Sequence, residues 1–201
     1  MKVAIFDYGA GNIFSLKNSL ENAGATVDII TSFDVENVYS GLLLPGVGNF
    51  DPAMKSIAKH SKTSFVDFVA DSTPVLGICL GMEMFFEKSQ EGIELGLDVI
   101  PGEVIVLPDT MKVPHMGWNN LEIKKPGVIL EGVDEGSWVY FVHSYRAKPD
   151  IDDVITAQSF HGISVPAVVE SGNFYGTQFH PEKSGDVGKI MINNFLNVCK
   201  R

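Results

Sequence analysis

The sequence is short of cysteine, of paired histidines, of positive charge and of long apolar runs. It holds 2 cysteines in 201 residues. Cys79 and Cys199 lie far apart and outside any C-x-x-C pattern, so no disulfide framework is expected and a reducing cytoplasm is. The 5 histidines (His60, His115, His143, His161 and His180) form no H-x-H or H-x-x-x-H pair, so neither a metal nor a cofactor is expected. The longest uncharged run, Val154–Val169, carries Gln158, Ser159, His161 and Pro166, and is too polar for the about 20 apolar residues of a span. Only Val3–Phe6 separates Lys2 from Asp7, so no signal peptide is expected either. Lys and Arg number 15 against 25 Asp and Glu, a net charge of −10, which speaks against nucleic acid or an anionic membrane as partner. Gly9-Ala10-Gly11-Asn12 lacks the third glycine of a dinucleotide fingerprint, because Phe14 stands in its place, and there is no Walker A motif.

What is present is the balance of a globular domain, with 45% hydrophobic and 20% charged residues. The length suits one domain over 1–201. The first half alternates strand and helix signals. Val3–Asp7 is apolar enough for a strand buried on both faces. Ile13, Phe14, Leu16, Leu20 and Ala23 then recur at helical spacing, with Gly24 as a stop. Val27–Ile30 and Leu42–Leu44 read as strands. Asp51-Pro52 reads as a cap and first-turn proline, and Phe65, Phe68 and Val69 as a further helix. Val75–Cys79 is a fourth strand, and Met82–Glu87 opens another helix. After Leu97 come short strands at Glu103–Leu107, Trp138–His143, Val154–Phe160 and Ile163–Val169, with Gly162 in a hairpin turn. A strand over Phe174–His180 and a helix over Val187–Val198 complete the pattern. The expected architecture is a three-layer α/β/α domain with a mostly parallel sheet and antiparallel additions.

Three segments carry chemistry, each at the end of an expected strand. Gly77-Ile78-Cys79-Leu80-Gly81 has the form of a strand–nucleophile–helix elbow, with cysteine as nucleophile. A thiol at a helix N-terminus would be pushed toward thiolate. Cys79 could equally be an ordinary buried apolar residue. In Thr177-Gln178-Phe179-His180-Pro181-Glu182, extended backbone would put His180 and Glu182 on one face. The carboxylate would then hold one imidazole nitrogen and leave the other for a thiol. Leu44-Pro45-Gly46-Val47-Gly48 could turn backbone N–H groups toward an oxyanion. In open α/β sheets, ligands bind at the carboxyl ends of the strands, so the three segments have a reason to converge.

These segments resemble the class I, or triad, glutamine amidotransferases, and the likeness covers essentially the whole chain. Its marks are Asp7-Tyr8-Gly9-Ala10-Gly11-Asn12, Pro45-Gly46-Val47-Gly48, Gly77-Ile78-Cys79-Leu80-Gly81-Met82 and Pro101-Gly102. They continue in Pro114-His115-Met116-Gly117-Trp118-Asn119, Tyr140-Phe141-Val142-His143-Ser144-Tyr145 and His180-Pro181-Glu182-Lys183-Ser184. The Gly-Val-Gly loop and the His-Met-Gly-Trp-Asn and Tyr-Phe-Val-His-Ser-Tyr runs are most similar to the glutaminase subunits of imidazole glycerol phosphate synthase.

The resemblance implies a flavodoxin-like fold and hydrolysis of L-glutamine to glutamate and ammonia. Cys79 would form a thioester, His180 would move the proton, and Glu182 would orient His180. Leu80 N–H and an N–H of the Gly46, Val47, Gly48 loop would form the oxyanion hole, after a peptide of that loop reorients. Ser144 and Tyr145 would hold the amino-acid end of glutamine. Ammonia would pass to a (β/α)8-barrel cyclase subunit of histidine biosynthesis. Asn12, Trp118, Tyr140 and Lys183 match positions facing that partner, although Trp118 and Tyr140 would serve equally as core aromatics and Lys183 as a solvated lysine. Glu83 departs from the pattern, since the family carries Gln four residues after the nucleophile. A carboxylate there accepts hydrogen bonds but does not donate when ionised, and its charge would raise the thiol pKa. His115 and His143 read as structural histidines, and Cys199 as packing or surface. The alternatives left open are another ammonia acceptor such as an amidino-sugar precursor, a stand-alone cysteine hydrolase, and a non-catalytic binding module.

Overall fold

The computed structural model describes residues 1–9, 12–33, 38–59, 65, 68–69 and 73–200. Ala10, Gly11 and His60, named above, lie outside the described residues. The central sheet has 8 strands in the order β2-β1-β3-β4-β13-β12-β11-β8. β1 (Lys2–Phe6), β2 (Thr26–Ile30), β3 (Leu42–Leu44), β4 (Val75–Ile78) and β13 (Phe174–Thr177) run parallel. β12 (Ser164–Ser171), β11 (Ile155–Phe160) and β8 (Glu122–Ile123) extend it antiparallel. β3 and β4 are buried along their whole length, and so is β1 beyond Lys2, because both faces of the sheet are covered.

The two covers make the three expected layers. On one face, α1 (Ile13–Asn22) and α4 (Gly185–Val198) pack Leu16, Leu20, Ile192 and Phe195 against Val3, Ile5 and Leu43. On the other, α2 (Phe50–Lys59) packs Phe50, Met54 and Ile57 with Phe65 against Ala4, Phe6 and Leu44. The alternation of the strand side chains sorts them between these two cores. β5 (Lys88–Ser89), β6 (Gly102–Val106) and β10 (Tyr145–Pro149) form a small second sheet. β7 (His115–Asn120) and β9 (Trp138–His143) form a third.

Three expectations are corrected, and four strands lie outside the sequence pattern. The helix expected over Met82–Glu87 is a single turn, α3 (Leu80–Glu83). It stops because the backbone N–H groups of Gly96, Leu97, Val99 and Ile100 take the carbonyls of Glu87, Met84 and Phe85. The strand expected over Phe174–His180 ends at Thr177, and Pro181–Lys183 is a 3-10 turn. Asp51 does not cap its own helix; Oδ1 accepts from Ile93 N at 2.9 Å and Glu94 N at 3.0 Å. The α2 N-terminus is capped instead by Glu91, whose Oε2 accepts from Phe50 N at 2.9 Å. Finally, β5, β7, β8 and β10 are strands without a clear apolar run, and the sequence pattern does not predict them.

Glycine at position 81 is a packing requirement. A Cβ there would run into the carbonyl oxygen of Leu44. Gly81→Ala should therefore lower unfolding free energy by about 1–3 kcal/mol, as overpacked sites do. Urea denaturation measures this, and an unchanged midpoint would contradict the close approach of α3 to β3.

Candidate active site

The site begins with one strand pairing. β4 and β13 pair in parallel with Ile78 opposite Thr177, and Cys79 N donates to Thr177 O at 2.6 Å. The residues after both strands therefore leave the sheet side by side. Cys79 adopts φ 52° and ψ −108°, a conformation that a side-chain-bearing residue seldom takes, at the sharp turn into α3. The turn closes because its neighbours lack side chains. A Cβ on Gly46 would strike the Ile78 carbonyl, and one on Gly77 would strike the carbonyl of Gly81. The Gly46–Gly48 loop thus lies directly against the elbow.

His180 follows β13, and its Nδ1 lies 2.8 Å from Glu182 Oε1. The carboxylate can only accept, so Nδ1 carries the proton and Nε2 presents its lone pair. Nε2 is buried and makes no hydrogen bond among the described residues. The 3-10 turn, rather than strand alternation, brings Glu182 back onto the ring. His180 is held from behind as well. Its N donates to Tyr140 O at 2.9 Å, and Ser184 Oγ donates to its carbonyl at 2.7 Å. The expected His180–Glu182 contact is therefore present, just after the strand paired beside the one that leads into Cys79.

The electrostatics differ from expectation in one respect. Burial pushes the Cys79 thiol well above its ordinary pKa, and the Glu83 carboxylate adds to the rise. The N–H of Leu80 and the Gln178 amide act the other way. A helix of one turn has little macrodipole, so desolvation outweighs it and the resting group is a thiol. Cys79 Sγ donates weakly to Val142 O at 3.8 Å. Glu83 lies over Cys79, as the i, i+4 spacing requires, with its N donating to Cys79 O at 3.0 Å. Burial, with a smaller contribution from Glu91, raises its carboxyl to about 7. Gln178 Nε2 bridges the two groups, 3.0 Å from Glu83 Oε1 and 3.7 Å from Cys79 Sγ.

Cys79 opens into a cavity of about 340 Å³, walled by Gly46, Val47, Gly48, Leu80, Glu83, Ser144 and Tyr145, all singled out in the sequence. Glu91, His143, Val142 and Pro114 also line it. Glu91 and Gln178 are the residues that sequence reasoning missed. Glu91 reaches the cavity by capping a helix 41 positions away, a contact with no local signal. Gln178 stands in the segment that leads into His-Pro-Glu, and strand alternation could have placed it on the face of His180 at i+2. A larger cavity of about 720 Å³, over residues 123–133, holds neither cysteine nor histidine.

Asn12, Trp118, Tyr140 and Lys183 do not line the Cys79 cavity. Trp118 is 53% exposed, so it is not a core residue, and its ring meets Tyr140 edge to face at 6.0 Å across β7 and β9. Asn12 is exposed and caps α1, its Oδ1 accepting from Ser15 N at 3.3 Å. The turn carrying Lys183 packs against both α1 and β9. Cys199 is buried against Gly41, with its thiol pushed up to about 12 by burial.

The family model described as glutamine amidotransferase class-I matches residues 4–198. The chain belongs to that family. Among curated relatives, a Geobacillus sp. (strain WCH70) protein named imidazole glycerol phosphate synthase subunit HisH is 44% identical, covering 98% of this chain and 97% of its own length. The Archaeoglobus fulgidus protein of the same name is 44% identical over 99% of this chain and 100% of its own. Among solved structures, one described as a glutamine amidotransferase superposes with TM-score 0.77 at 18% identity, covering 99% of both chains. A chain of the PurLQS structure from Thermotoga maritima gives 0.74 at 18%, covering 98% of this chain and 97% of that one. The class I amidotransferase fold, with its flavodoxin-like α/β sheet, is thus that of this chain.

After burial, Glu83 is expected to contribute most to the raised thiol titration. In Glu83→Gln the negative charge beside Cys79 is gone while the shape stays, so the thiol pKa falls. The pH profile of alkylation by iodoacetamide should move to lower pH. An unmoved profile would show that Glu83 and Cys79 are not electrostatically coupled.

Proposed function

We propose that this amidotransferase is the glutaminase subunit of an imidazole glycerol phosphate synthase, serving histidine biosynthesis in the cytoplasm. It hydrolyses L-glutamine to glutamate and ammonia, and the ammonia passes to a (β/α)8-barrel cyclase subunit. The observation that carries the chemistry is His180 Nε2, a buried lone pair without a partner among the described residues, its tautomer set by Glu182. The full-length likeness to two named subunits supports the choice of acceptor over an amidino-sugar precursor. The exposed Trp118, edge to face with Tyr140 on the strand that packs against the turn of Lys183, supports a protein partner.

In this reading the three residues act in turn. Cys79 Sγ attacks the side-chain amide carbonyl, and its proton passes to His180 Nε2. The oxyanion is received by Leu80 N–H and an N–H of the Gly46–Gly48 loop once a loop peptide has turned. The tetrahedral adduct expels ammonia, which takes the proton back from His180. Water, deprotonated by His180, then opens the thioester to glutamate and thiol. Glu83 and Glu91 give the cavity two carboxyl groups, suited to a substrate ammonium. The backbone of Ser144 and Tyr145 suits its carboxylate end.

The test is glutamate release from L-glutamine by the chain alone and with a cyclase subunit loaded with its nucleotide. Low activity alone, a large rise in the complex, and a loss of about a thousandfold or more in Cys79→Ala are expected. Equal activity with and without the partner would instead favour a stand-alone hydrolase.

A further inference from the structure

The buried histidines of β7 and β9 form an ordered chain ending at the substrate cavity. His115 and His143 stand opposite each other in the antiparallel β7–β9 register. Their rings are linked, His115 Nδ1 to His143 Nε2, at 2.9 Å. His143 Nδ1 lies 2.6 Å from the carbonyl of Tyr145. At the other end, Asn119 Nδ2 lies 3.2 Å from His115 Nε2. The His115 ring is packed between Phe141 at 4.6 Å and His161 at 4.1 Å.

The direction of every bond in this chain is determined. A carbonyl only accepts, so His143 Nδ1 carries the hydrogen. The neutral ring then offers Nε2 as acceptor, so His115 Nδ1 carries the hydrogen in turn. That leaves His115 Nε2 as acceptor for the Asn119 amide. The orientation of Asn119 is secured twice more, since Nδ2 also donates to Phe160 O at 3.0 Å and Oδ1 accepts from Asn120 N at 2.9 Å. Both nitrogens of each ring are thus committed, which leaves no lone pair for a metal. Burial supports the neutral forms, holding His115 down to about 4 and His143 to about 3.

We infer that His115 and His143 are positioning residues for the glutaminase reaction: their chain holds the Ser144–Tyr145 corner in the shape that receives the amino-acid end of the substrate. The corner is where β9 turns into β10, and both residues line the cavity. Its two carbonyls are each fixed from outside, Tyr145 O by His143 and Ser144 O by Leu107 N at 2.9 Å. Pro114, next to His115, lines the cavity too, so the chain ties two wall segments together. A neutral chain does this without placing a positive charge beside His180, whose protonation the reaction needs free to change. This inference rests on the glutaminase reading for its functional half, but not for its structural half.

Two measurements test it. The first is two-bond 15N–1H NMR of the histidine rings at neutral pH in the full chain, with signals assigned from His115→Asn. Both His115 and His143 should be Nδ1–H tautomers, the minor form of free imidazole in water. Either ring protonated at Nε2 would overturn the chain. The second is steady-state glutaminase kinetics of the complex with the cyclase subunit. His115→Leu breaks the chain and should raise KM for L-glutamine about tenfold, with kcat changed by less than about threefold. His115→Asn places an amide N–H where Nδ1–H stood and should restore KM to within about threefold of the unmodified enzyme. Equal losses in the two variants, or a fall in kcat alone, would overturn the positioning role. If His115→Leu does not fold, an Asn variant with KM raised as much as tenfold would overturn it as well. Should the unmodified complex release no glutamate, the glutaminase reading fails, and with it the functional half, while the tautomers still decide the chain.

Discussion

The parallel pairing of β4 with β13 is the constraint on which the site depends. Nothing in the local sequence brings Cys79 near His180, since half the chain separates them. The ladder does so by placing Ile78 opposite Thr177 and extending one bond further, from Cys79 N to Thr177 O at 2.6 Å. A slip of one residue would turn every side chain of β13 to the opposite core. It would also carry His180 away from the elbow. β9 then steadies both partners at once. Its Tyr140 carbonyl holds His180 N, and its Val142 carbonyl receives the Cys79 thiol. The same strand carries His143 into the cavity wall. Cys79, His180 and the Ser144–Tyr145 corner therefore share one backbone support.

Around this support the protein balances burial against reactivity. A buried thiol holds its proton, and the neighbouring Glu83 strengthens that hold. Cys79 consequently rests as a thiol, which protects it from adventitious chemistry. Gln178 moderates the effect by donating to Glu83 and to the sulfur. The buried Gln178 amide is thus the link between a carboxyl that titrates near neutrality and the reacting atom. Glu83 changes the electrostatics around Cys79 and leaves the His180–Glu182 contact in place.

Much of this is legible in the chain because steric rules are local. Gly77 and Gly81 read as close approaches at a sharp turn and Gly46 as part of a donor loop, and each would collide with a carbonyl if it bore a Cβ. The apolar runs of β1, β3 and β4 announce strands covered on both faces. What cannot be read depends on partners distant in sequence. α3 is cut to one turn because residues 96–100 claim its continuing carbonyls. Glu91 enters the cavity because it caps α2, and β7 pairs although its one buried side chain is His115 and its apolar Met116 and Trp118 are exposed. The His180–Glu182 contact follows from extended alternation in the sequence, yet a 3-10 turn is what closes it. The elbow promises a thiolate only if a helix of several turns follows it, and α3 is too short to supply that dipole.

The most direct measurement of the central claim is covalent trapping with a diazoketone analogue of L-glutamine, read by intact mass and peptide mapping. The analogue must be bound by the cavity and attacked by an activated thiol, so it reports site and nucleophile together. One adduct per chain, on Cys79, prevented by excess L-glutamine and strongly slowed in His180→Ala, is the predicted result. Labelling of Cys199, or labelling of Cys79 that glutamine does not compete and His180 does not affect, would contradict the account.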